Sequence, residues 1–103
     1  MGQKLLHPDW EDLVVYSENG AQPQTLAEFD RVKVVVGGLQ AGQTIPPHPE
    51  GVGVYHFVEG RGWMTVNGER FPVQPGATVI VPAGGERGLE AETRLAFLAT
   101  RVA

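Results

Sequence analysis

The chain contains no cysteine. Disulfide frameworks, thiolate metal sites and cysteine nucleophiles are excluded together. Serine is almost absent as well. Ser17 is the sole one, and it does not stand in the glycine-flanked elbow of a serine nucleophile. Apolar runs fall well short of the ~20 residues that a membrane-spanning helix needs. The opening stretch, MGQKLLHPDWEDL, carries charge where a secretion signal has its apolar core. Positive charge is also scarce: eight Lys and Arg against twelve Asp and Glu leave a net charge of −4. Arg31, Lys33, Arg61, Arg70, Arg87, Arg94 and Arg101 form no stripe able to displace counterions from a phosphate backbone. No nucleic-acid partner and no membrane partner is expected, and the default expectation is a soluble, cytoplasmic protein.

Helical periodicity is missing too. The one stretch with helical character, about Thr25–Phe29, is too short to stand alone in water. What the chain has instead is a series of short apolar runs, each closed by a turn signal. Leu13–Tyr16 ends at an Asn-Gly pair, and Arg31–Val36 ends at Gly37-Gly38. Val52–Val58, Trp63–Val66, Glu69–Val73, Ala77–Val81 and Arg94–Arg101 continue the pattern, with Asn67-Gly68 a strong two-residue hairpin signal. Pro46, Pro47 and Pro49 hold the segment around His48 extended or turning, because they cannot donate to a sheet ladder. Seven or more short strands spaced about eight to twelve residues apart predict an all-β sandwich or barrel. Residues 1–103 read as one domain, with 1–30 as amino-terminal strands or an arm and 31–103 as the barrel core.

The second half of the chain is similar to the cupin superfamily. The first cupin motif has a Gly, five intervening residues and a His, a second His two positions on, then a Glu, and a closing Gly after six more residues. Here Gly42 leads to His48, Glu50 stands at the second His position, Gly53 stands where the Glu belongs, and Gly60 closes the motif. In the second motif Gly76, Pro82 and Gly84 fall at the family spacing, while Arg87 replaces the His and Ala91 the Asn. The resemblance spans about residues 31–101 and implies a small double-stranded β-helix, the jelly-roll barrel of cupins.

The resemblance also implies a divalent transition metal held by three His and one Glu, and there the match fails. His48 is in place and Glu50 is an acceptable donor. Gly53 has no side chain, and Arg87 is a permanent cation that cannot ligate. A structural zinc site is worth about 10–16 kcal/mol, so losing two of four ligands costs roughly 6–8 kcal/mol, or about 10⁴–10⁶ in affinity. No cofactor is favoured. A residual metal site would need His48, Glu50 and His56, yet His56 has the opposite parity to Gly53, Tyr55 and Phe57 along its strand. Only a bulge, with Gly53 as its place, would turn it inward.

These residues point to a small-molecule pocket built from His48, Glu50, Tyr55, Phe57 and Arg87. Arg87 is expected near the mouth, either gripping an anionic ligand or paired with Glu50 or Glu86. Met64 and Val66 are expected inside, with Trp63 and Thr65 outside. An exposed Trp63, together with the habit of cupins, implies a homodimer. Trp10, in the amino-terminal arm, is expected to cover a sheet or a neighbouring subunit. The leading functional reading is a ligand-binding cupin with a degenerate metal site, serving as a sensor, carrier or accessory in biosynthesis. One alternative is a cupin-type enzyme of the isomerase, dioxygenase or decarboxylase class, using His48 with or without a metal. The other is a structural or partner-binding barrel without a ligand.

Overall fold

Nine strands account for most of the chain in a computed structural model that describes residues 2–103. They are β1 (Gln24–Phe29), β2 (Val32–Leu39), β3 (Thr44–Pro49), β4 (Val52–Glu59), β5 (Gly62–Val66), β6 (Glu69–Val73), β7 (Thr78–Val81), β8 (Glu86–Ala91) and β9 (Leu95–Val102). They pair antiparallel into a five-stranded sheet, β1-β2-β9-β4-β7, and a four-stranded sheet, β3-β8-β5-β6. The two sheets enclose one core, in which Leu39, Met64, Val81 and Leu95 are completely buried. The architecture is the all-β barrel expected from the strand spacing, in the jelly-roll form that the family resemblance implied. No helix among the described residues is long and apolar enough to cross a membrane.

Local chemistry explains much of the path. Asn67 and Gly68 both adopt positive φ, 49° and 85°, which turns β5 into β6 in two residues. The prolines of β3 are tolerated because β3 is an edge strand, and its pairing with β8 is irregular between Ile45 and His48. Gly88 lies at the centre of β8 under that irregular segment. A Cβ there would come within 2.8 Å of the Ile45 carbonyl.

The structure differs from the sequence reading, or adds to it, at three places. Thr25–Phe29 is not helical; it lies within β1 and pairs with β2, tertiary pairing overriding weak local propensity. Leu13–Tyr16 is not a strand. It follows a single 3-10 turn at Trp10–Asp12, capped by the Asp9 carboxylate, and runs over β2. Gly38 makes room for it, since a Cβ there would sit 2.8 Å from the Tyr16 ring and from Val14. The Tyr16 hydroxyl then donates to Glu59 at 2.7 Å, while the Arg94 guanidinium stacks over its ring. Finally, Glu86–Ala91 forms β8, a central strand that the charged and glycine-bearing sequence did not advertise.

Candidate functional site

Along β4 every second residue faces inward. Gly53, Tyr55 and Phe57 are buried, and His56 is exposed. The register of β4 against β9 is continuous from Val52 to Phe57, so no bulge turns His56 around. His56 instead meets the Thr78 hydroxyl at 2.7 Å on the outer face. It does not group with His48 and Glu50 to hold a cation.

A cavity of about 240 Å³ opens between the two sheets at the β3 end of the barrel. Ile45 and His48 from β3, Tyr55 from β4, Met64 from β5, Arg87 and Leu89 from β8, and Phe97 and Arg101 from β9 form most of its wall, with Glu50 beside them. Four of the five sequence-derived pocket residues, His48, Glu50, Tyr55 and Arg87, therefore converge. Phe57 does not. It is 2 % exposed and packs in the core, its ring 6.1 Å from that of Phe97.

Arg87 corrects another expectation. It is neither at the mouth nor paired with a carboxylate. At 1 % exposure it is the one buried charged residue among those described. Its Nε and Nη2 donate to the Gly85 carbonyl at 3.1 and 2.9 Å, and Nη2 also reaches the carbonyls of Gly51 at 2.7 Å and Glu50 at 3.2 Å. The guanidinium thus ties the β3–β4 turn to the β7–β8 turn. Nη1 has no acceptor. It lies beside Gly53, where a Cβ would stand 2.5 Å away. An unsatisfied buried donor costs about 1–3 kcal/mol, more when charged.

Arg101 was not singled out in the sequence. It takes the place by Glu50 that was expected of Arg87. Its Nη1 donates to Glu50 Oε1 at 3.0 Å, and its Nε is buried without an acceptor. The signal was available: Leu95, Phe97, Ala99 and Arg101 alternate along β9, so Arg101 shares the inward parity of its apolar neighbours.

Glu50 joins the two sides of the site. Its Oε2 meets His48 Nε2 at 2.5 Å, and its Oε1 holds Arg101. Burial works to raise the Glu50 pKa, but the hydrogen bond from His48 and the charge of Arg101 outweigh it, and the carboxyl ionises below the ordinary glutamate range. The second ring nitrogen of His48, Nδ1, faces the Pro46 carbonyl at 3.0 Å. Burial pushes the Tyr55 phenol above its ordinary value, with the Arg87 guanidinium acting against that rise.

The four family positions do not fit a metal ion. They supply two donors, His48 and Glu50, bonded to each other, one bare backbone at Gly53, and a guanidinium that fills the space beside it. Among the described residues no three His, Asp or Glu side chains are grouped to hold a cation. On the outer face, Trp63 is half-buried rather than open, because Arg70 stacks 3.8 Å over its ring and is held there by Glu90 at 3.1 Å. The exposed tryptophan expected of an interface is therefore covered within the chain.

Residues 33–100 match the family described as "Cupin domain". Solved structures agree in fold. A conserved protein of unknown function from Streptococcus pyogenes is 25% identical, with a TM-score of 0.82 over 99% of this chain and 89% of that one. An RmlC-like cupin from Desulfovibrio desulfuricans is 25% identical, with a TM-score of 0.85 over 97% of each chain. A salicylate 1,2-dioxygenase from Pseudaminobacter salicylatoxidans is 21% identical, with a TM-score of 0.74 over 81% of this chain but 26% of that one, a likeness of fold alone. No curated protein matches the sequence.

Proposed function

This chain belongs to the cupin domain family, and from that premise we propose that it is a small-molecule-binding member in which an organic ligand, rather than a metal, occupies the barrel. The observation that carries this reading is the cavity of about 240 Å³, walled by apolar core side chains and by His48, Glu50 and Arg101. A concave, mostly apolar site with a few convergent polar groups is the usual form of a ligand pocket. The volume is below the range of drug-sized sites, so the ligand is small. Arg87 and Gly53 support the loss of the metal, since a guanidinium already fills the space beside the motif's missing carboxylate. The corresponding role is that of a sensor, carrier or accessory protein.

The reading is tested by a thermal-shift screen of small organic molecules against the wild type and Ala21→Trp, which places a large side chain at the cavity rim. A ligand present at 100 times its Kd stabilises the fold by about 2.7 kcal/mol. Hits that raise the midpoint of the wild type and not of Ala21→Trp support the pocket. Hits unaffected by Ala21→Trp bind elsewhere and contradict it.

One observation favours a second reading, catalysis without a metal. His48 is partly exposed and bonded to Glu50 at 2.5 Å, the relationship of a general base to the group that orients it. If this reading holds, His48→Ala abolishes turnover of a bound ligand, a loss larger than any it causes in binding. Recovery of every bound ligand unchanged after long incubation contradicts it.

A further inference from the structure

The wall of the cavity holds more positive charge and more donors than its own acceptors satisfy. Arg87 and Arg101 both line it, and Glu50 is the only carboxylate there. Both oxygens of Glu50 are engaged, one by His48 and one by Arg101. Arg87 has no carboxylate partner and is solvated by backbone carbonyls alone. Two buried N–H groups, Arg87 Nη1 and Arg101 Nε, have no acceptor. Both ring nitrogens of His48 face acceptors, the Pro46 carbonyl and Glu50. Every polar side chain at this end except Glu50 can thus present a donor or a positive charge.

The rest of the wall is of the opposite character. Ile45, Met64, Leu89 and Phe97 offer no hydrogen bonds. A volume of about 240 Å³ would hold roughly eight waters at their liquid share. A phosphate or sulfate ester would have to leave strongly hydrated oxygens against that apolar side. A neutral molecule would leave the excess charge uncompensated.

Resting on the ligand-binding reading above, we propose that the ligand is a small carboxylic acid bound as its carboxylate, with an apolar body and about six to ten non-hydrogen atoms in all. The carboxylate takes the end of the cavity beside Arg101 and His48, where guanidinium geometry suits two carboxylate oxygens. The body lies against Ile45, Met64, Leu89 and Phe97. Arg87 supplies a fixed charge behind them, and Arg101 selects the acid.

The test uses two pairs of molecules alike in shape and different in charge: benzoate with benzamide, and hexanoate with hexanamide. Binding to the full chain is measured by calorimetry, and the site is located from amide shifts in a nitrogen-15 NMR titration. The expected result is cavity shifts at Tyr55, Met64 and Leu89 and at least tenfold tighter binding of an acid than of its amide, about 1.4 kcal/mol. Arg101→Gln, with an unchanged circular dichroism spectrum, weakens the acid tenfold or more and brings it level with the amide. If an amide binds in the cavity as tightly as its acid, the carboxylate assignment is overturned and the ligand-binding reading stands. If none of the four molecules shifts cavity residues at millimolar concentration, both are overturned.

Discussion

The Arg87 guanidinium occupies the space into which a side chain at position 53 would grow: a Cβ on Gly53 would lie 2.5 Å from Arg87 Nη1. The two departures from the cupin metal motif are therefore one coupled feature. The glycine removes a ligand and makes the room, and the arginine fills it.

Gly53→Ala is expected to destabilise the fold by about 1–3 kcal/mol through overpacking, because Arg87 is buried and held by three carbonyls. In a chain of this size each kcal/mol lowers the melting midpoint by about 4–8 °C. With Arg87→Ala already in place, the same alanine should cost markedly less. A double-mutant cycle by chemical denaturation measures that coupling. Strictly additive costs would show that the two residues do not share the space.

Arg87→Met keeps an extended apolar stem and removes every donor. The carbonyls of Gly85, Gly51 and Glu50 then lose their buried partner, and stability should fall by about 2–4 kcal/mol. Urea denaturation at neutral pH checks it. An unchanged midpoint would mean that water replaces the guanidinium at no cost.

The fold was legible because its signals are local. Asn67-Gly68 can only be a tight turn between β5 and β6, and the alternation of Gly53, Tyr55 and Phe57 fixed the inward face of β4, leaving His56 outside. β1 and β8 were not legible, since Thr25–Phe29 and Glu86–Ala91 owe their strand state to their neighbours in the sheets. In the site, His48, Glu50 and Arg87 could be read from motif spacing, and Tyr55 from its parity with Gly53. What spacing could not supply was the partner of each charge. The carbonyl cage of Arg87 depends on how two turns meet, and Arg101 is 51 residues from the Glu50 it binds. Phe57 shares Tyr55's parity, but it lies deeper along the strand, beyond the cavity wall.

Glu50 should make the fold sensitive to acid. Its carboxyl is held below the 4.5 of a free glutamate side chain. The folded state therefore binds that proton less readily than the unfolded state. The resulting stabilisation is full above about pH 5 and is lost as pH falls through the lowered folded value. Glu50→Gln should remove this part of the pH dependence. Denaturation midpoints of the two proteins, compared from pH 7 downward, should converge in acid, and a constant difference would contradict the assignment.

The chain's two tyrosines, Tyr16 and Tyr55, should both resist ionisation. Burial and the neighbouring Glu59 push Tyr16 up to about 12, and burial raises Tyr55. Ultraviolet titration should show little phenolate near pH 10, where free tyrosine is half ionised. Because the folded pKa values lie above the unfolded ones, stability should decline as pH rises from about 10 toward 12. Tyr16→Phe should shrink that decline. Ordinary ionisation of both phenols in the folded protein would contradict the burial of Tyr55 and the bond from Tyr16 to Glu59.

His56→Ala should change stability by no more than about 0.5 kcal/mol and leave ligand binding in the cavity unaltered, since His56 faces outward beside Thr78. Loss of binding in this variant would require His56 to reach the interior.

The central claim, that a guanidinium and an organic ligand stand where relatives of this family are expected to hold an ion, is tested most directly by elemental analysis. The protein is purified without a metal-binding tag, incubated in turn with iron, zinc, nickel and manganese, and desalted before measurement. The account predicts a small fraction of one equivalent for every metal, with the fold unchanged by a chelator. Close to one equivalent of any of them retained per chain, and lost together with stability on chelation, would contradict it and return His48 and Glu50 to a metal site.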